Sequence, residues 1–449
     1  MKIEHAHSCT LLTTDDGVVH VPFTLYLNSR YDNPHTLVAA ARGLRAFSRF
    51  VDAFNIDIAS RALEARCLTE GEKKALHQLV FYPIEQIEAM SDRAVRMIAS
   101  AQKKQDPSRI KGAVEPNTAV KQLLQIADFL LWYHEKVLET RMPLASPVTE
   151  ALRRAYESCA KELKQAVAGT KSLHPHKIRS VPIRRFLEIY EALYSKAEHV
   201  LQTESGQPSR NLKRDRAMIL LAAEGIRPGA IGNIALADFK WPSGKERGHV
   251  AIKDNTSRRS KRLSTATPTQ KGTRSRQNYN SEGTISIWPT TAQAIRDYID
   301  GERQEVTGRT LRNKSEGFLF LAEHGGPIGD RSTISTVFKR SGIGLQRLGL
   351  LAKDENDPYL EGEEYDFSAY LLRHSAATLF YSSKAPQLRG EVVEDLMKLR
   401  FGWSQASGMP RVYAQRAMSD AASLTVDDFV ESLLTDAAIT KNATKRISS

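Results

Sequence analysis

The stretch with the most chemical potential runs from Tyr370 to Tyr413: YLLRHSAATLF, a basic connector, then FGWSQASGMPRVYAQ. It sets Arg373 inside an apolar helical pattern, then a Gly-Trp pair ending in Trp403, then Tyr413. A guanidinium is planar, permanently charged and forked, so it matches phosphate oxygens. A phenol can attack phosphorus, and neighbouring cations favour loss of its proton as it does so. Together these groups suggest a metal-free site for breaking DNA. Upstream, EGIRPGA offers a second arginine on a fixed turn. Gly225 suits the left-handed conformation at a helix C-terminus, and Pro228 suits the first turn of the next helix. Arg227, just before the proline, is pushed out of the α region. On EGIRPGA alone, an exposed surface arginine is the simpler account.

The whole chain sets the bounds. With 449 residues it is too long for one ordinary core, and its 41% hydrophobic and 26% charged residues are those of a globular rather than a disordered protein. A formal charge of +12 and a pI near 9.4 imply a polyanionic partner, because Lys and Arg release counterions from a phosphate backbone. Cys9, Cys67 and Cys159 are widely spaced without a CxxC, which indicates neither a disulfide framework nor a zinc site and fits a reducing compartment. Neither a signal peptide nor a membrane-spanning run is visible, so the expected location is cytoplasmic, on the nucleoid if the source is bacterial.

The elements that must position these residues follow in chain order. Residues 1–32 alternate loosely and are expected to form an arm of unassigned role. From residue 33, Leu37, Ala40, Leu44, Phe47 and Phe50 recur at helical spacing. A second amphipathic unit has Thr69 as its N-cap, and a third begins at Asn117-Thr118, with Leu123, Ile126, Phe129 and Leu130 on its apolar face. Helical patterns continue to 205, and the polar TESGQPS places a domain boundary near 202–209. LKRDRAMILLAAE is apolar nearly all round in its second half and so is expected to be buried. HVAI and GTISIWP read as strands of a hairpin whose long, basic tip spans NTSRRSKR to RSRQNYNSE, as a solvated loop or as an arm lying along DNA. Thr290 or Thr291 is expected to cap the next helix. KDENDPYLEGEEYD reads as an acidic surface segment that DNA would repel.

On these residues the chain resembles the tyrosine recombinase (phage integrase) family. EGIRPGAIGNIALADF is similar to the family's first arginine box, and YLLRHSAATLF to its second, of pattern H-x-x-R-H. FGW is similar to the L-G-H/W element and RVYAQ to the segment bearing the nucleophile, with order and approximate spacing in agreement. The catalytic likeness covers 211 to about 425, and residues 33–140 more weakly resemble the helical core-binding domain. The implied fold is mainly α with a small β-sheet or hairpin in the catalytic domain. Its expected parts are an arm at 1–32, a helical DNA core-binding domain with extra helices at 33–205, an α+β catalytic domain at 206–430 and a tail at 431–449. Past the RVYAQ segment, Phe429, Leu433 and Leu434 would dock on a neighbouring protomer or close a terminal helix.

The resemblance implies that Arg227 and Arg373 clamp the scissile phosphate, that Tyr413 is the nucleophile and that Trp403 fills the His/Trp position. His374 is expected to be structural. A hairpin lysine protonates the leaving 5′ oxygen; Lys271 is preferred and Lys253 is the other choice. Two positions depart from the pattern. Tyr370 replaces the histidine, and a phenol hydrogen-bonds but lacks imidazole's capacity as a base near neutral pH. Ala230 replaces an acidic residue, so something else must hold Arg227. The implied activity is site-specific recombination through a 3′-phosphotyrosyl link, integrating and excising a mobile element. It needs no cofactor, and a homotetramer holds two DNA duplexes. Partner recombinases or DNA-bending accessory proteins could assist; a membrane has no part. Three other readings stay open: a type IB topoisomerase, a binding module without activity, and a helper recombinase acting beside related partners.

Overall fold

The structure is a computed structural model that describes residues 1–5, 10–14, 16–31, 34–100, 110, 112–142, 147–166, 178–203, 205–241, 247–260, 267–268, 283–309, 314–355, 357–360 and 362–422. The chain divides into two compact units, Met1–His176 and Lys177–Ser449. Both are mainly helical with a small antiparallel sheet. No helix among the described residues is long and apolar enough to cross a membrane. The expected tail at 431–449 and most of the hairpin tip, Lys271 included, lie outside the described residues.

In the first unit, strands β1 (Lys2–His5) and β2 (Thr10–Thr13) pair antiparallel, with Ile3 opposite Leu12. Helices α1 (Val21–Arg30), α2 (Pro34–Phe54), α3 (Ile58–Leu63), α4 (Glu70–Leu79), α5 (Ile84–Ala89), α6 (Asp92–Ser100), α7 (Pro116–Tyr133) and α8 (Pro147–Ala166) follow. The predicted stripe of α2 packs on α7, and both faces are buried in one core. Thr69 caps α4 as expected: its hydroxyl accepts from the Glu72 amide at 3.3 Å, and Glu72 accepts from the Thr69 amide at 2.7 Å. Residues 1–32 are not a separate arm. Leu12, Phe23, Tyr26 and Leu27 are buried in this core, and Phe129 lies edge-on to Phe23 at 4.9 Å and to Tyr26 at 5.4 Å. Such aromatic burial holds the segment down far more firmly than loose alternation suggests.

The second unit holds helices α9 (Ile183–Ser195), α10 (Ala197–Val200), α11 (Leu212–Ala223) and α12 (Pro228–Ile231). A sheet of β3 (Phe239–Lys240), β4 (Gly248–Ala251) and β5 (Thr284–Ile287) comes next, then α13 (Pro289–Tyr298), α14 (Gln304–Gly308), α15 (Arg331–Arg347), α16 (Ala369–Lys384), α17 (Gly390–Phe401) and α18 (Met409–Tyr413). The core is organised round α11, buried on every side from Ala217 to Ala223 as its composition predicts, with α9, α13, α15 and α16 against it. The expected hairpin is β4–β5, in which Val250 faces Ile285.

The boundary expected near 202–209 falls earlier, because Phe186, Ile189 and Leu193 of α9 are buried in the core of the second unit. The polar TESGQPS is a turn within that unit, closed by a bridge between Gln202 and Pro208. Thr290 and Thr291 do not cap α13. Pro289 starts that helix after Trp288, and both threonine hydroxyls bond the Tyr190 hydroxyl, at 2.5 and 2.8 Å. The base of the hairpin tip is pinned as well. Arg259 donates to the carbonyls of Ile328 and Gly232 at 2.9 Å each and lies over the Phe318 ring.

Two glycines of α15 give a paired stability prediction. A Cβ on Gly344 would lie 2.5 Å from Val200 Cα and 2.6 Å from its carbonyl carbon, backbone atoms that cannot swing aside. A Cβ on Gly342 would meet the Phe367 ring at an ordinary 3.5 Å. Gly344→Ala is therefore expected to lower unfolding free energy by about 2–3 kcal/mol. Gly342→Ala should raise it by roughly 0.5–1 kcal/mol through helix propensity. Equal effects in denaturant titrations would refute the close α10–α15 approach.

Candidate active site

Two helix ends build the centre of the site. Helix α11 closes with Gly225 at a φ of 88°, and a Cβ there would run into the Phe401 ring, 2.8 Å from its Cδ1. The chain then turns at Arg227, extended with φ −68° and ψ 142°, into Pro228 as the sequence predicts. Helix α17 closes with Gly402 in the left-handed conformation, at φ 64° and ψ 49°. The last carbonyls of a helix have no partner within it and carry the negative end of its dipole. Here they meet guanidiniums. Arg373 Nη1 donates to the Gly225 carbonyl and Nη2 to the Phe401 carbonyl at 2.5 Å. Arg227 Nη1 reaches the Gly402 carbonyl at 3.5 Å.

Arg373 is 3% exposed; the Tyr413 phenol lies within hydrogen-bonding reach of its guanidinium, and among the described residues Nε–H has no acceptor at good geometry. Its guanidinium lies 5.1 Å from the centre of the Trp403 ring and 5.5 Å from that of Tyr413. Trp403 and Tyr413 are themselves 4.9 Å apart, and both are nearly fully buried. Burial pushes the Arg373 pKa down and the facing Arg227 pushes it further, while Tyr413 and Tyr370 act in the opposite sense. Burial likewise lowers the Arg227 pKa, against Tyr413 and Tyr370. Arg227 thus acts on Arg373, and the same two phenols act on both guanidiniums. A doubly cationic pocket of this kind suits an oxyanion.

Arg227, Arg373, Trp403 and Tyr413 are thus brought together from four separate stretches. Tyr370 stands at the rim, 59% exposed in the first turn of α16, within electrostatic reach of both arginines. Ala230 is buried and lines the small cleft that holds Arg227 and Arg373, so the Gly402 carbonyl takes over the anchoring that an acidic residue would supply. Lys253 is half exposed with Nζ 3.3 Å from Asp238 Oδ1, so its ammonium is turned to that carboxylate. His374 stacks flat on Tyr413, centroids 3.9 Å apart and planes 8° from parallel. Its pKa is pushed down to about 4, first by burial and then by Arg179 and Arg373, so the ring is neutral at physiological pH.

Sequence reasoning missed two buried ion pairs. Glu224, the residue before Gly225, accepts from the Trp288 amide at 2.6 Å, the Thr291 hydroxyl at 3.0 Å and Arg400 Nη2 at 2.7 Å. Arg400 also donates to the Ser286 carbonyl, so the pair ties α11, α17 and β5 together beneath the arginines. Removing one partner of such a pair leaves a buried charge, so Glu224→Leu is expected to cost about 3–5 kcal/mol in denaturant unfolding. Adding Arg400→Met should recover much of that loss. A single variant within about 1 kcal/mol of wild type would show the pair to be dispensable.

The second pair corrects the reading of KDENDPYLEGEEYD as mere surface. Asp357 is 3% exposed and receives a two-pronged bond from Arg416, at 3.0 and 2.8 Å. Net acidity hid this, because Asp357 faces inward while Glu355, Glu363, Glu364 and Asp366 are exposed. A lone arginine shortly after Tyr413 and a lone inward aspartate carry no periodic signal. Neither a search of protein-family models nor one of curated proteins finds a match to this chain.

Proposed function

We propose that the chain is a tyrosine-type site-specific DNA recombinase that cleaves and rejoins DNA through a 3′-phosphotyrosyl intermediate. The observation that supports this reading is the convergence of Arg227, Arg373, Trp403 and Tyr413 on one buried cationic site. In this mechanism the scissile phosphate meets Arg227 and the unused Nε–H of Arg373, whose other nitrogens stay fixed on backbone carbonyls. The Tyr413 phenol gives up its proton to water as its oxygen bonds phosphorus and the bond to the 5′ oxygen breaks. That oxygen takes a proton from an acid, for which Lys271 and Lys253 are the candidates. Because the phosphotyrosyl link conserves the energy of the broken bond, a different strand's 5′ hydroxyl can reverse the step and reseal. Tyr370 would donate a hydrogen bond at the phosphate from the rim. Integration and excision of a mobile element, by a tetramer on two duplexes in the cytoplasm, is the setting this chemistry fits.

The test starts from duplexes the full-length protein enriches from a random pool, each then nicked near its centre so that a cleaved strand diffuses away. A species resistant to denaturant, carrying nucleotide on the peptide that contains Tyr413, is the expected result. Tight binding without such a species on any enriched duplex would overturn the reading. It would favour a binding module instead, to which Tyr370 in place of a histidine and the Lys253–Asp238 pair already point.

A further inference from the structure

Beyond the packing of its buried Pro410 and Tyr413, the short α18 has few polar ties of its own. It has five residues, no side-chain cap, and one exposed ion pair between Arg411 and Glu394, of a kind that contributes little. Beyond Tyr413 the chain bends at 414 and turns helical again at 415–422. There Arg416 is 4% exposed and fully engaged. Besides the fork to Asp357, Nε donates to the Ser180 carbonyl at 2.9 Å, and the guanidinium lies over the Tyr359 ring at 4.9 Å. Asp357 accepts in addition from the Tyr365 hydroxyl at 2.7 Å and the Tyr359 amide at 3.0 Å. Burial pushes this carboxyl's pKa up, but Arg416 and the other donors outweigh it and hold the group below the usual carboxylate range. The clamp therefore stays ionised throughout the neutral range.

We infer that Asp357 and Arg416 are positioning residues for the nucleophile: they anchor the chain just past Tyr413 and so hold its phenol in the site of its own chain. The inference rests on the reaction proposed above. Arg416 follows Tyr413 by three residues, past the bend, and its bonds go to Asp357 and Ser180 rather than to the site, so its loss should misplace the nucleophile while leaving phosphate binding intact. A displacement of about 1 Å can lower a rate by roughly a hundredfold.

Asp357→Asn in the full-length protein keeps the shape and removes the charge. Single-turnover trapping on a nicked, enriched duplex should slow by about 10- to 100-fold, with DNA affinity within about twofold of wild type. Hydrogen exchange should rise in a peptide spanning 409–418. Tyr365→Phe, which removes one donor and spares the fold, should show the same pattern at about two- to fivefold. An unchanged trapping rate and unchanged exchange in both variants would overturn the inference. So would a parallel loss of affinity and rate with general loosening, which would make the clamp a fold determinant alone. If wild type forms no adduct yet exchange rises only at 409–418 in Asp357→Asn, the anchor stands and the proposed chemistry falls.

Discussion

Phenylalanine in place of Tyr413 is expected to abolish the covalent protein–DNA species while leaving the fold and noncovalent DNA binding as they are. The side chain is 6% exposed, and its ring is held between His374, at 3.9 Å, and Trp403, at 4.9 Å. Phenylalanine keeps that stacking and loses only the oxygen, so the stability change should stay within about 1 kcal/mol. The oxygen is what the proposed reaction uses, and among the described residues no other phenol is stacked at that place. Tyr370 is the control. It is another phenol near the same arginines but lies exposed at the rim, so Tyr370→Phe should slow trapping by no more than about 10- to 100-fold, and the adduct should still form. Denaturing gels and peptide mapping check both. An adduct that persists in Tyr413→Phe, or that maps to Tyr370, would refute the assignment of the nucleophile.

Arg373→Lys should lower the single-turnover trapping rate by about a thousandfold or more. A guanidinium reaches the Gly225 and Phe401 carbonyls and, in the proposed reaction, the scissile phosphate as well, because its nitrogens lie in one fixed plane. An ammonium offers three donors from one point and cannot span them. The same substitution leaves two buried carbonyls short of a donor, at a cost of roughly 1–3 kcal/mol each. Rate and stability therefore fall together at Arg373, and Arg227→Lys separates them. Arg227 is half-buried and makes one long bond, to Gly402, so its replacement should slow trapping by about a hundredfold with little change in unfolding. A rate for Arg373→Lys within tenfold of wild type would remove Arg373 from the chemistry.

What the sequence made legible was local. The turn at Gly225, Arg227 and Pro228, the capping box of Thr69, the all-round burial of α11 and the β4–β5 hairpin each depend on neighbouring residues, whose steric and hydrogen-bonding preferences are written into short stretches. The order of Arg227, Arg373, Trp403 and Tyr413 was legible too, and the fold brings those residues together. The ion pairs beneath and beside them were not. Glu224 and Arg400 are 176 positions apart, and Asp357 and Arg416 are 59 apart, with no spacing rule to link them. The role of α9 was hidden for a related reason. An amphipathic pattern shows that Phe186 and Ile189 will be buried, but not which of two cores receives them.

The anchoring of Arg373 on two main-chain carbonyls has a consequence for biosynthesis. One carbonyl belongs to Gly225, and the other to Phe401, well downstream of the arginine itself. Tyr413 and the Arg416 that ties it to Asp357 emerge from the ribosome later still. A nascent chain that stops before Phe401 lacks both the carbonyl that fixes Arg373 Nη2 and the Tyr413 phenol. The cationic centre is thus completed last, and on the proposed function an unfinished or truncated copy bound to DNA would be unable to break it.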